Sequence, residues 1–125
     1  MILGIGTDLC DVARMRKQTV AEDGTFARGV FTPGEIAYCR GKHDPAQHFA
    51  ARFAAKEACL KALSAGGGKG ASWLEIAVVN EPGGRPLLEL TGRALELAQG
   101  LGAVRILVSL THTKDTAAAT VLIEG

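Results

Sequence analysis

The strongest constraint on this chain is residues 45–65, PAQHFAARFAAKEACLKALSA, which suit one long helix. Pro45 opens it, alanine fills it, and the run Gly66-Gly67-Gly68 ends it. At helical spacing Phe49, Phe53, Glu57, Leu60 and Ser64 fall on one stripe. Ala51, Ala55, Cys59 and Ala62 make a second, smooth stripe suited to close packing on a helix or a sheet. Arg52, Lys56 and Lys61 flank the first stripe. Arg52 and Lys56 are four apart, a like-charge spacing that is tolerated more easily when a phosphate neutralises it.

Around this helix the punctuation is clear. Residues 2–9 (ILGIGTDL) suit a buried strand. Ile2, Gly4, Gly6 and Asp8 share one face of it, so something bulky can approach the backbone there. Residues 11–22 suit a short helix with Asp11 as N-cap, and 23–33 read as a loop around Asp23-Gly24. Thr32-Pro33-Gly34-Glu35 is a capping box with proline at the first helical position, opening a helix to about Arg40 that Gly41 stops. Residues 75–80 and 86–90 read as strands joined by the turn 81–85. Thr91 caps a helix to about Gln99, closed by Gly100 and Gly102. Residues 104–112 and 116–123 form a hairpin. The order predicts one α+β domain over residues 1–125, an antiparallel sheet packed on a long helix, with open sheet edges that need partners.

Composition removes several function classes. Lys plus Arg is 14 and Asp plus Glu is 13, a net charge of +1, without the basic excess of a general nucleic-acid binder. Aromatic residues are 5%, too sparse for a base-stacking platform. No apolar run reaches the roughly 18–20 residues of a membrane span, and the first residues lack a signal peptide's basic region. Cys10, Cys39 and Cys59 are far apart and without C-x-x-C, so they read as buried thiols of a cytoplasmic protein rather than a zinc site or disulfide framework.

Three groups carry possible chemistry. Glu57 is either half of an i,i+4 pair with Lys61 or a metal ligand or base with Lys61 set to bind an anion. Asp8 either caps the following helix or joins Glu57 in the carboxylate pair that Mg²⁺ takes alongside phosphate oxygens and water. Ser109, Thr111 and Thr113 alternate along the last hairpin with His112 at the strand end, either as strand filler or as phosphate donors. His43 and His48 read as surface residues.

Taken together, GIGTDLCDVARM at 4–15, FAARFAAKEACLKAL at 49–63 and SLTHTKDTAAATVL at 109–122 resemble the holo-acyl-carrier-protein synthases. These are short bacterial 4′-phosphopantetheinyl transferases. EIAVVNEPGGRPLLELTG at 75–92 fits the same family's strand, turn and strand. The resemblance implies transfer of 4′-phosphopantetheine from coenzyme A to a serine of an apo acyl carrier protein, with adenosine 3′,5′-bisphosphate released. It also implies a homotrimer with active sites between subunits.

By the same resemblance Asp8 and Glu57 match the Mg²⁺ ligands, and Glu57, or a water it orients, is the base. Lys61 matches the lysine on the pyrophosphate. Arg52, His112 and Thr113 match positions around the adenosine 3′-phosphate, His112 reaching in from the neighbouring chain. Further coenzyme A contacts are expected at Lys56, Ser64, Gly66, Pro86, Ser109 and Thr111. Arg14 matches the residue that meets the acidic helix of the carrier protein, and Arg16 and Lys17 extend that basic patch. The sequence departs from the family pattern at Thr111, where serine is usual, at Cys59 and in the longer glycine run. A non-catalytic module binding coenzyme A or an acidic protein would need the basic residues but not the Asp8 and Glu57 pair.

Overall fold

The structure is a computed structural model that describes residues 1–20, 23–67 and 69–125. The last two positions of the expected first helix, 21–22, and Gly68 of the glycine run lie outside the described residues. Strand β1 (Ile2–Asp11) is followed by helices α1 (Val12–Thr19), α2 (Thr25–Val30), α3 (Pro33–Arg40) and α4 (Pro45–Leu63). Next come single 3₁₀ turns at Ser64–Gly66 and Trp73–Glu75 and the hairpin β2 (Ile76–Asn80) and β3 (Pro86–Leu90). Helix α5 (Gly92–Leu101) and the hairpin β4 (Arg105–His112) and β5 (Thr116–Glu124) complete the described chain.

The helix boundaries follow local chemistry. Asp11 ends β1 and accepts from Ala13 N–H, so one residue closes the strand and caps α1. Thr32 and Glu35 form the expected reciprocal capping box on α3. Helix α4 ends at Leu63, two residues short of the expected limit, because the chain tightens into the 3₁₀ turn before Gly67 takes a φ of 76°. Gly100 lies inside α5, and Gly102, at a φ of 85°, is the residue that stops it. The expected loop at 23–33 contains α2. Its start is set by the Asp23 carboxylate on Thr25 N–H, and burial of Ala27 and Val30 holds it. Six residues are too few for helical periodicity to show in the sequence.

Strands β1, β5 and β4 form an antiparallel sheet in that order, and β2 pairs with β3 in a separate ribbon. The α+β class and the packing of sheet on long helix are as the sequence predicts. The contact that fixes the two layers is unusually close. A Cβ added at Gly4 would overlap the carbonyl oxygen of Ala62, and one at Gly6 that of Ala58. The bulky neighbour anticipated beside the glycine face is therefore α4 itself. Its smooth stripe, Ala51, Ala55, Cys59 and Ala62, is buried throughout, and β5 adds Ala117, Ala119, Val121 and Ile123 to the same core.

Among the described residues nothing covers the opposite face of this sheet. Register sets Ile5 beside Leu122 and Leu107, Thr7 beside Thr120 and Ser109, and Leu9 beside Ala118 and Thr111. Ile5 is 62% exposed and Leu9 69%.

Replacing Gly6 by alanine forces the helix and sheet apart and is expected to cost at least about 3 kcal/mol. Gly29→Ala, on the open side of α2, meets nothing within 4 Å and is expected to stabilise by about 0.5–1 kcal/mol. Urea unfolding midpoints of the two variants check both signs.

Candidate active site

Asp8 is the next residue after the two glycines on the inner face of β1, so the close layer contact delivers its carboxylate to the side of α4. There Lys61 Nζ donates to Asp8 Oδ1 at 2.9 Å and to the Thr7 carbonyl at 3.0 Å. Glu57, one turn earlier on α4, does not take the i,i+4 pair with Lys61 that its spacing allows. Its Oε1 accepts from the indole Nε1 of Trp73 at 3.2 Å. Cys10 lies within electrostatic reach of Asp8, Glu57 and Arg14, and burial pushes its thiol up to about 11. The thiol is thus protonated and inert at neutral pH. Glu57 and Trp73 also line a pocket of about 330 Å³ with Leu60, Ala71 and Ser72.

The donor chemistry of this corner is hard. No group of three or more His, Cys, Asp or Glu residues among the described residues makes an all-protein metal cage. Two carboxylates are what Mg²⁺ takes when phosphate and water fill its other positions, and Asp8 and Glu57 fit that requirement. Ser64 folds back, donating to the Lys61 carbonyl at 2.7 Å, and Gly66 ends the 3₁₀ turn just beyond it.

A second polar cluster forms farther up α4. The Arg52 side chain is almost wholly buried, with Nη2 donating to Asn80 Oδ1 at 2.6 Å and the guanidinium 4.0 Å above the Tyr38 ring. Its Nε is buried and finds no acceptor among the described residues. His48 packs edge-on to Tyr38 at 6.0 Å and to His112 at 5.8 Å. Burial, helped by the charges of Arg52, His112 and Lys42, lowers the His48 pKa and keeps the ring neutral at pH 7. His48 is thus no bland surface residue. Its place one turn before Arg52 on α4 was the available signal. His43 is exposed, as expected.

Arg52 and Lys61 are nine residues apart. At 3.6 residues per turn they leave α4 about 180° apart and about 13 Å apart along its axis. One chain therefore carries two polar clusters on opposite sides of one helix.

The remaining candidates separate. Lys56, expected among the coenzyme A contacts, has no exposed surface. Its Nζ donates to Glu35 Oε1 at 2.8 Å and to the carbonyls of Trp73 and Ile76. All three ammonium hydrogens are used, so Lys56 is a structural anchor. The close Arg52 and Lys56 charges are accommodated by Asn80 and Tyr38 on one side and Glu35 on the other, with no phosphate needed. Burial lowers the Lys56 pKa and the Glu35 carboxylate opposes that. Thr113 accepts from Thr116 N–H at 3.1 Å and Asp115 N–H at 3.3 Å, closing the β4–β5 turn. Ser109 and Thr111 lie on the uncovered sheet face, and Pro86 opens β3 opposite Asn80. Arg14 is exposed on α1, but Arg16 is held by both oxygens of Asp44 at 2.8 and 3.1 Å rather than extending a free basic patch.

Comparison with known proteins gives the family and the fold. A sequence model of the 4′-phosphopantetheinyl transferase superfamily matches residues 4–121. The holo-[acyl-carrier-protein] synthase of Syntrophus aciditrophicus is 46% identical over 125 residues, covering 100% of this chain and 98% of the relative. The crystal structure of the Neisseria meningitidis synthase superposes with a TM-score of 0.84 at 29% identity over the full length of both chains. That of the Helicobacter pylori synthase in complex with coenzyme A gives a TM-score of 0.80 at 30% identity, covering 96% of this chain and 99% of that one. The chain belongs to the 4′-phosphopantetheinyl transferase superfamily. Its reaction is that of the holo-[acyl-carrier-protein] synthases, transfer of phosphopantetheine from coenzyme A to an apo acyl carrier protein.

Removing Glu35 tests the anchoring role of Lys56. Glu35→Ala leaves a buried ammonium unpaired and is expected to cost about 3–5 kcal/mol in thermal or urea unfolding. Adding Lys56→Met is expected to recover part of that loss. The remainder belongs to the α3 cap and to Val78 N–H, which Glu35 Oε2 also accepts at 2.8 Å.

Proposed function

We propose that the transfer takes place in a site shared by two copies of this chain within a homotrimer. One copy contributes Asp8, Glu57 and Lys61, and its neighbour contributes Arg52 and His112. The observation that carries this reading is the opposed placement of the two clusters on α4. A coenzyme A lying along one side of the helix cannot meet both from the same chain. The uncovered apolar face built on Ile5 and Leu9 supports self-association, since a contiguous apolar face on a small domain marks an interface.

In this reading Asp8 and Glu57 would hold Mg²⁺, and the ion would supply charge neutralisation for the coenzyme A pyrophosphate. The serine hydroxyl of the carrier protein attacks the phosphorus nearer pantetheine, and the bond from that phosphorus to the oxygen leading to adenosine 3′,5′-bisphosphate breaks. The Glu57 carboxylate accepts the serine proton. The Lys61 ammonium, already beside Asp8, offsets charge on the departing phosphate. The Arg52 guanidinium, whose Nε–H has no acceptor among the described residues, is the positive group for the adenosine 3′-phosphate, with His112 linked to it through His48 and Tyr38. Exposed Arg14 on α1 suits the acidic helix of a carrier protein. No helix among the described residues is long and apolar enough to cross a membrane. The three free, buried cysteines suit a reducing compartment, and we place the reaction in the cytoplasm. Residues 1–125 act as one domain.

Intact mass of an apo acyl carrier protein, incubated with the chain, coenzyme A and Mg²⁺, tests the reaction. A gain of one phosphopantetheine that EDTA abolishes is expected, and Asp8→Ala and Glu57→Ala should each abolish it with folding intact. No gain with several carrier proteins would move a non-catalytic coenzyme A module to the front. Co-expressing Asp8→Ala with Arg52→Ala tests the shared site. Two inactive chains should regain roughly a quarter of the activity if each site draws on two copies, and none if each site is built from one chain.

A further inference from the structure

Glu57 is the one member of the Asp8, Glu57 and Lys61 group whose carboxylate is held by a residue outside the family motifs, namely Trp73. The turn that carries this tryptophan is fixed from three directions. Lys56, the neighbour of Glu57 on α4, donates from its buried Nζ to the Trp73 carbonyl at 3.0 Å. Ser72 N–H donates to Glu75 Oε1 at 2.8 Å in a reciprocal cap around the turn. Arg93 N–H at the start of α5 donates to Glu75 Oε2 at 2.7 Å. The indole itself packs on Phe53, with ring centres 5.7 Å apart, and Phe53 in turn packs on Phe26 at 6.4 Å.

With backbone and ring both held, the indole N–H is a preset donor. It occupies Glu57 Oε1 at 3.2 Å. We propose that Trp73 is a positioning residue for Glu57, restraining the carboxylate through Oε1 so that Oε2 is the oxygen presented to the cation. A carboxylate ligand oriented by an outer hydrogen bond binds its metal more tightly than one free to swing. A single presented oxygen also suits the octahedral demand of Mg²⁺. Lys56 and Trp73 thereby act in series: one holds the tryptophan backbone and the other holds the carboxylate next door. The inference rests on the assignment of Glu57 as a metal ligand in the proposed transfer.

Trp73→Phe keeps a ring against Phe53 and removes the donor. Calorimetric titration of Mg²⁺ into the coenzyme A-loaded protein should show affinity about tenfold lower than the parent. In the transfer assay kcat should fall while KM for coenzyme A stays within about twofold, and Trp73→His, which restores a ring N–H, should recover part of both losses. Metal affinity and kcat unchanged in Trp73→Phe would overturn the proposal. A second readout needs neither metal nor turnover. Trp73 is the chain's one tryptophan, so its indole N–H gives a single cross-peak in a ¹⁵N–¹H spectrum. Glu57→Ala should move that peak in the metal-free protein, and an unmoved peak would overturn the contact. Failure of the parent chain to transfer phosphopantetheine would sink the transferase reading. An active parent with an indistinguishable Trp73→Phe sinks the positioning role alone.

Discussion

The architecture depends on how closely α4 lies on β1. Two glycines whose missing side chains let strand backbone touch helix backbone set the distance between the layers. That distance places Asp8 within reach of Lys61. Short side chains serve both surfaces, glycine on the strand and alanine on the helix, so the layers meet without bulky side chains between them. The site inherits its geometry from this packing. A wider layer spacing would carry Asp8 away from α4, whatever loops surrounded it.

Helix α4 shows how burial assigns different work to similar charges. Lys61 stays at the surface beside a carboxylate that can serve as a ligand. Lys56, five residues earlier, is sealed in with Glu35 and two carbonyls. Arg52 is nearly as deep, yet among the described residues one of its N–H groups has no acceptor, a cost that buried structural groups normally avoid. A fully satisfied ammonium is a structural joint, whereas a guanidinium with one N–H left over among the described residues is not wholly used by the fold. The distinction separates candidates that sequence spacing treats alike.

Much of this was legible in the residues. The capping box at Thr32 and Glu35, the proline starts and the alternating hairpin strands depend on neighbours within a few positions, and those elements appear where the pattern sets them, while the glycine stops at 66–68 and 100 mark helix ends only to within about two residues. Helix α2 leaves no periodic signal because its six residues are held by the Asp23 carboxylate on Thr25 N–H and by burial against other elements. The role of Lys56 is hidden from the sequence for a related reason. Nothing in the 52–61 stretch reveals that a carboxylate 21 residues earlier lies beside it. Trp73 leaves no trace in the pattern, since it matters through Glu57, 16 residues away, and the place of His48 one turn before Arg52 gives no hint of His112. Local signals thus gave the elements, whereas the assembly of the site depends on contacts between them.

Glu35 links three elements through one carboxylate. It caps α3 at Thr32, pairs with Lys56 on α4 and accepts from Val78 on β2. An ordinary terminal turn frays at little cost, because water replaces its lost hydrogen bonds. Here, opening the first turn of α3 would withdraw the counter-charge from the middle of α4 and an acceptor from a strand. Amide protons at the start of α3 should therefore exchange with solvent at the rate of the core rather than that of a helix end, making this terminus part of the cooperative unit that also carries Glu57.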